Sequence, residues 1–160
     1  MKPRRAAAGF TLIELLITAT IVAVFATVAL PLAELSVKRS RENELRAALR
    51  EIRGALDAYK QAHDEGRMLK KEGATGYPPS LEILVTGVED ARSAKKQRIN
   101  FLRRLPRDPL HGDPKLPAAQ TWGLRAYESP FDAPRSGADV YDIHSLASGV
   151  GLNGIPYAQW

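Results

Sequence analysis

An apolar run at residues 15–30, headed by the acidic residue Glu14, constrains this chain of 160 residues more than any other feature. Residues 10–35 contain only two charged side chains, Glu14 and Glu34. About 20 apolar residues, each rising 1.5 Å along a helix, suffice to cross the hydrocarbon of a bilayer. We therefore expect residues 10–35 to form a membrane-spanning helix.

A short basic leader with Lys2, Arg4 and Arg5 precedes this run and ends in the small residues of positions 7–9. A secretory signal places its small-residue cleavage site after an apolar region of roughly 7–15 residues, whereas here the small residues come first. Cleavage after Gly9 would keep the apolar helix and leave Phe10 with a free ammonium group. Because an acidic residue inside a membrane costs about 2.5–3.5 kcal/mol, that ammonium would supply the partner that Glu14 lacks.

The stretch Gly9-Phe10-Thr11-Leu12-Ile13-Glu14 resembles the processing site of type IV pilins and type II secretion pseudopilins. The resemblance implies that a prepilin peptidase cleaves between Gly9 and Phe10 and methylates Phe10, and that Glu14 acts in assembly. It also implies three parts: a cleaved leader (1–9), a transmembrane and assembly helix (10–35), and a periplasmic domain (36–160). Such a protein crosses the bacterial inner membrane once, and the basic leader sets its orientation.

The segment from residue 37 to about 67 has a clear helical period. An apolar face is predicted at Leu45, Leu49, Ile52, Leu56 and Tyr59, which follow one another at spacings of three or four. We expect this amphipathic half to continue the anchor as one long helix. Pro31 is expected to end or kink that helix, and Gly66 to stop it.

Two later segments, residues 122–128 and 140–144, alternate well enough to predict two strands of a small antiparallel sheet. The fold class is therefore α+β. The resemblance specifies it as a pilin-like fold, in which the amphipathic half of the long N-terminal helix packs on the small sheet.

Four short motifs also resemble the major, G-type pseudopilin of type II secretion. In chain order they are Tyr77-Pro78, Leu105-Pro106-Arg107-Asp108-Pro109, Trp122-Gly123 and Asp142-Ile143-His144-Ser145-Leu146. Each is weak alone, but their order is specific, and the chain lacks the cysteine pair of many type IV pilins. The resemblance implies a structural subunit that polymerises through its N-terminal helix to drive protein export across the outer membrane.

The partners implied are further copies of the chain, other pseudopilins, prepilin peptidase and the inner-membrane secretion platform. A type IV pilin serving adhesion, motility or DNA uptake stays open as an alternative, as does a membrane-anchored binding module. Whether the subunit is the major or a minor component also stays open.

A calcium loop is usual after the Ser-Leu strand of G-type pseudopilins, but residues 147–154 contain no acid here. The resemblance offers Leu146, Ser148 and Asn153 as the candidate ligands. Calcium favours several oxygen ligands with carboxylates prominent among them, so this neutral set predicts feeble binding, and no cofactor is expected. Packing by Ile155, Tyr157 and Trp160 is the alternative way to fix the tail.

No pattern in the sequence indicates an enzyme. The histidines at positions 63, 111 and 144 have no spaced metal partners, and phosphate-binding loops and nucleophile elbows are absent from the sequence. Basic clusters at residues 38–41 and 92–104 could attract nucleic acid through its phosphates. Acids are interspersed, however, and aromatic residues for base stacking are few, so a solvated surface or salt bridges between subunits are favoured over nucleic acid.

Overall fold

The computed structural model describes residues 9–69 and 73–160, except for the side chain of Val28. Of the predicted leader, only Gly9 lies within the described residues. These described residues form two α-helices, α1 (Leu12–Asp64) and α2 (Glu82–Thr86), with short 3₁₀ helices at Ala118–Thr121 and Tyr157–Gln159. The strands are β1 (Val88–Glu89), β2 (Arg98–Ile99), β3 (Trp122–Arg125) and β4 (Asp142–Ser145). A long N-terminal helix followed by small antiparallel sheets confirms the predicted α+β, pilin-like fold class.

The chain divides into two compact units, Met1–Arg39 and Ser40–Trp160. In the first unit, the large apolar side chains that the structure describes, from Phe10 to Val37, are all exposed. Pro31 lies inside α1, so the prediction that it could end the helix is wrong. Proline removes one N–H donor, and a single lost bond does not end a helix of 53 residues whose neighbouring turns remain bonded.

Helix α1 ends where the sequence predicted, close to Gly66. The N–H of Gly66 donates to the carbonyl of His63 and the N–H of Arg67 donates to that of Ala62, both at 3.0 Å. This pair of bonds is the Schellman motif, which needs a left-handed residue at the position after the cap. Gly66 has φ of +70° and supplies it without a Cβ penalty.

The core of the second unit is built on the predicted apolar face of α1. Leu45, Leu49, Ile52 and Leu56 are buried, whereas Tyr59 is half-buried. The core is completed by residues from α2, the loops, β3, β4 and the tail, namely Leu81, Leu84, Leu102, Trp122, Val140, Ile143 and Tyr157. Burying a large apolar side chain stabilises a fold by about 1.5–3 kcal/mol, so this helix face is the main support of the unit.

Strands β3 and β4 pair antiparallel, and Trp122 lies opposite Ser145 in the register. The predicted pair is confirmed, but β3 ends at Arg125 rather than at residue 128. After Arg125, the backbone N–H groups bond loop residues instead of β4. The N–H of Ala126 donates to the carbonyl of Arg135, and the N–H of Tyr127 donates to Asp139 Oδ1. A second antiparallel pair joins β1 to β2.

Candidate functional site

Gly9 and Phe10 lie just before α1, and both are exposed. Thr11 caps the helix, because the backbone N–H of Glu14 donates to Thr11 Oγ1 at 3.3 Å. The Thr-x-x-Glu spacing is that of a capping box, and an acid in the first turn also complements the positive end of the helix dipole. The capping role of Thr11 was not predicted from the sequence, although the Thr-x-x-Glu spacing could have indicated it. Cleavage, methylation and the assembly role of Glu14 stay predictions.

Helix α1 is long enough and apolar enough to cross a membrane, judged by length and composition. None of its most apolar 18-residue stretch is buried within the chain. A side-chain surface this apolar needs a cover other than water. The helix therefore has the composition of a membrane anchor or of an apolar assembly surface.

Three of the four later motifs come together in the folded second unit. Ser145 Oγ donates to Asp108 Oδ2 at 2.5 Å, and the indole Nε1 of Trp122 donates to the carbonyl of Pro106 at 2.9 Å. Asp108 and Ser145 are both buried, at 2% and 0% exposure. The loop at residues 105–109 is thus fixed to β3 and β4 by polar groups that have no access to water, which gives these motifs a structural reason to occur together.

Asp142 links β3 and β4 to α1. Its Oδ1 accepts from Arg53 Nε at 2.8 Å, and its Oδ2 accepts from Arg125 Nη2 at 3.2 Å. Arg53 also donates to the carbonyl oxygens of Ile143 and Trp160, at 3.0 and 2.7 Å. A guanidinium presents several donors in a fixed plane, so this one side chain ties the helix to both β4 and the tail.

The tail is also held by a buried carboxylate on α1. Oε1 of Glu42 accepts the backbone N–H of Leu152 at 2.8 Å and the hydroxyl of Tyr157 at 2.9 Å. Glu42 is only 2% exposed, and Tyr157 is also buried. Burial raises the pKa of the Tyr157 hydroxyl, and the hydrogen bond to Glu42 raises it further, so that the hydroxyl stays protonated and donates. We call Glu42, Leu152 and Tyr157 the tail clamp.

Trp160 completes the packing of the tail. Its ring stands edge-on to Tyr157 with centroids 5.2 Å apart, and the guanidinium of Arg46 lies 4.4 Å from the ring centroid. Gly151 passes so close beneath that a Cβ there would meet the Trp160 ring. Of the predicted packing residues, Tyr157 and Trp160 do pack in the tail, whereas Ile155 is exposed.

The candidate calcium ligands do not fit a calcium ion. Leu146, Ser148 and Asn153 are all exposed, and they offer only neutral oxygens. The side-chain oxygen of Asn153 already accepts the N–H of Ile155 at 3.1 Å. The carboxylate of Glu42 bonds this loop, but its Oε1 already accepts two protein donors. Feeble or absent calcium binding therefore stays the prediction.

Two of the histidines, His63 and His144, occupy different surroundings. His63 has a buried Nε2 without a hydrogen-bond partner, and its Nδ1 lies 3.5 Å from Asp64. His144 lies across from Gly123, where a Cβ would meet its ring, and desolvation there lowers its pKa. Within residues 9–69 and 73–160, no three acidic or histidine side chains are grouped as metal ligands would be.

Two arginines of the basic loop after β1, and Arg67 beside it, bond groups of their own chain. Arg67 bonds Asp90 through two nitrogens, at 3.2 and 2.7 Å, and Arg92 donates to the carbonyl of Glu65. Arg98 donates to the carbonyl of Gly87 at 2.8 Å. These side chains serve the fold, which reduces the charge that this loop could offer to phosphates.

A family model described as the prokaryotic N-terminal methylation motif matches residues 4–30. The motif is found in type IV pilins and pseudopilins, which are structural subunits rather than enzymes. No curated protein and no solved structure matches the chain. The matched range includes Gly9, Phe10 and Glu14, and the motif implies processing by prepilin peptidase, membrane anchoring and pilus-like polymerisation.

Proposed function

We propose that this protein is a subunit of a type II secretion pseudopilus. Prepilin peptidase cuts after Gly9 and methylates Phe10, and the helix then holds the subunit in the inner membrane with its second unit in the periplasm. The observation that carries the proposal is the methylation motif at residues 4–30, set at the start of a helix apolar enough to span a bilayer.

Glu14 gives the polymer its register. After cleavage, the Phe10 ammonium of one subunit pairs with the Glu14 carboxylate of its neighbour, while the exposed apolar side chains of α1 pack together. Opposite charges attract more strongly in the low-dielectric core of a fibre than in water. A wrong register would leave a charge buried without a partner, and this penalty is larger than the net gain from the pair itself. Glu14 therefore selects the register rather than adding bulk stability.

The convergence of Asp108, Trp122 and Ser145 in one core supports a secretion pseudopilin over a fimbrial pilin. These are the residues through which the chain resembles G-type pseudopilins, and they act as one structural unit. A type IV pilin is the second candidate, since the N-terminal motif occurs in both groups. Deletion of the gene separates the two: a pseudopilin mutant loses protein secretion and keeps twitching, and a pilin mutant does the reverse.

Glu14→Ala is the direct test of the assembly mechanism. We expect the variant to be inserted and to keep a folded second unit, because the bonds of Glu14 run to Thr11 and Thr18 in its own part of α1. Fibres should be lost or misregistered. Glu34→Ala is the matched control, since Glu34 is the other exposed acid of the apolar segment. Normal fibres from Glu14→Ala would refute the mechanism.

A further inference from the structure

A cavity of about 520 Å³ lies in the second unit, and residues of α1, α2, β1 and the neighbouring loops line it. Sites for small organic ligands have volumes of about 300–1,000 Å³ and mostly apolar walls. The apolar wall here consists of Tyr59, Met68, Tyr77, Pro79, Ile83 and Val88. Polymerisation through the N-terminal helix gives this cavity no role, so a ligand site here would be a separate property of the subunit.

The polar part of the wall is negatively charged, and we call the whole the acidic cavity. Glu89 on β1 and Asp139 on the loop before β4 both line it. Asp139 is 8% exposed, and its oxygens accept the N–H of Tyr127 and the hydroxyl of Thr75. Glu89 is exposed, and its carboxylate has no ion pair or hydrogen bond within the described residues. It is therefore the carboxylate that a ligand can reach.

The cations close to this wall are held by other groups. The ammonium of Lys60 lies 6.0 Å from the centroid of the Tyr77 ring, but both oxygens of Asp64 bond it at 2.6 Å. Arg98 stands opposite Glu89 in the register of β1 and β2, yet it donates to a backbone carbonyl at 2.8 Å. The described lining residues include no lysine or arginine. The charge of the wall is thus left for a ligand to neutralise.

The remaining groups of the wall also suit a ligand that carries hydrogen-bond donors and positive charge. His63 Nε2 is buried and unpaired within the described residues. Its Nδ1 lies 3.5 Å from a carboxylate oxygen of Asp64, so Nδ1 carries the proton and Nε2 of the neutral ring is an acceptor. The rings of Tyr59 and Tyr77 attract cations through their π faces. Phosphates and fatty acids, in contrast, would meet like charges in the wall.

We propose that the acidic cavity binds an ammonium or guanidinium group carried on an apolar stem. The stem packs against Tyr59, Ile83 and Val88, and the charged head pairs with the carboxylate of Glu89. This chemistry has two sources, a lysine or arginine side chain of another polypeptide and a small organic amine.

Protection of a cysteine tests the site, because the chain has no cysteine of its own. Ala74 lines the cavity and is exposed, so iodoacetamide, a neutral reagent, can alkylate the full-length Ala74→Cys chain in detergent. We expect tyramine, a cation, to slow this alkylation several-fold. Hydroxyphenylacetate has a similar stem and the opposite charge, and it should leave the rate unchanged. Ala133→Cys is the control, since Ala133 is exposed but lies outside the lining, and neither probe should protect it.

A second variant tests the role of the free carboxylate. Glu89→Gln in the Ala74→Cys chain should raise the tyramine concentration for half-maximal protection about two- to fivefold, as for an exposed ion pair. An unchanged concentration would overturn the pairing with Glu89. Equal protection by both probes, or none by tyramine, would overturn the site itself, whatever the outcome for fibre assembly.

A capped Gly-Arg-Gly peptide separates the two sources of the ligand. Protection by this peptide as well as by tyramine would support a side chain of another polypeptide, because the cavity then admits a cation that is attached to a backbone. Protection by tyramine alone would support a small organic amine.

Discussion

Replacing Glu42 should loosen the tail from α1 and destabilise the second unit. The carboxylate accepts two donors, the part-buried N–H of Leu152 and the buried hydroxyl of Tyr157, from a segment more than a hundred residues away in sequence. Glu42→Ala leaves both donors without this partner. Glu42→Gln keeps one acceptor oxygen of similar shape and removes the charge.

The expected cost follows from these two bonds. A hydrogen bond to a charged group contributes about 1.5–3 kcal/mol, and a buried donor left unpaired costs a similar amount. We therefore expect Glu42→Ala to lower the free energy of unfolding by about 3–5 kcal/mol. For a chain of this size that corresponds to a fall of about 10 °C in the thermal midpoint. Glu42→Gln should cost less, because both donors bond the single oxygen Oε1, which an amide retains, and only the added strength of a charged acceptor is lost.

Thermal unfolding of the full chain in detergent, followed by tryptophan emission and circular dichroism, measures this effect. Glu44→Ala is the control, because Glu44 is an exposed acid two residues along the same helix. A double-mutant cycle with Glu42→Gln and Tyr157→Phe should show a coupling energy of about 1–2 kcal/mol, as contacting residues do. A shift no larger than that of Glu44→Ala, or strict additivity in the cycle, would refute the tail clamp.

Four further outcomes are expected. Gly151→Ala should displace the Trp160 ring, lower stability by about 1–3 kcal/mol and shift the tryptophan emission to the red; unchanged emission would contradict this packing. Asp108→Ala should cost about 2–4 kcal/mol in chemical denaturation, because it strands the buried hydroxyl of Ser145; a loss below 0.5 kcal/mol would count against a buried bridge. The pKa of His144 is lowered chiefly by desolvation. Its neutral ring therefore contributes to stability above about pH 6.5, the ordinary pKa of histidine, and this contribution is lost as the pH falls through the lower pKa of the folded state. Denaturant unfolding of His144→Asn at pH 5.5 and 7.5 should show a smaller pH dependence than the parent chain, and an equal dependence would point to other groups. Calcium added after chelation should leave the thermal midpoint unchanged, whereas a rise of several degrees would reveal a site.

The long helix and its buried face could be predicted because they depend on local pattern. Apolar residues at spacings of three and four mark the face from Leu45 to Leu56, and Gly66 marks the end through its freedom to adopt positive φ. The prediction that Pro31 could end the helix was wrong, since a proline removes one bond and the surrounding helix outweighs that loss; a kink at Pro31 stays a prediction.

The contacts that fix the tail were harder to predict. Glu42 precedes Leu45 by three residues and therefore lies on the apolar face of the helix. This position indicates a buried acid, and a buried acid needs a partner. Its partners, however, lie 110 and 115 residues further along the chain. The same holds for Asp108 and Ser145, whose motifs were recognised but whose contact spans 37 residues. Long-range pairing depends on the packing of the whole unit, which no local pattern specifies.

The mature N-terminus tests the central claim most directly. Mass spectrometry of the protein purified from membranes, with its N-terminal peptide sequenced, should show a chain that begins at Phe10 and carries one methyl group on its amine. This result would establish the cut after Gly9 and the ammonium that Glu14 is proposed to bind. A chain that still begins at Met1, or one cut well beyond Phe10, would contradict the account.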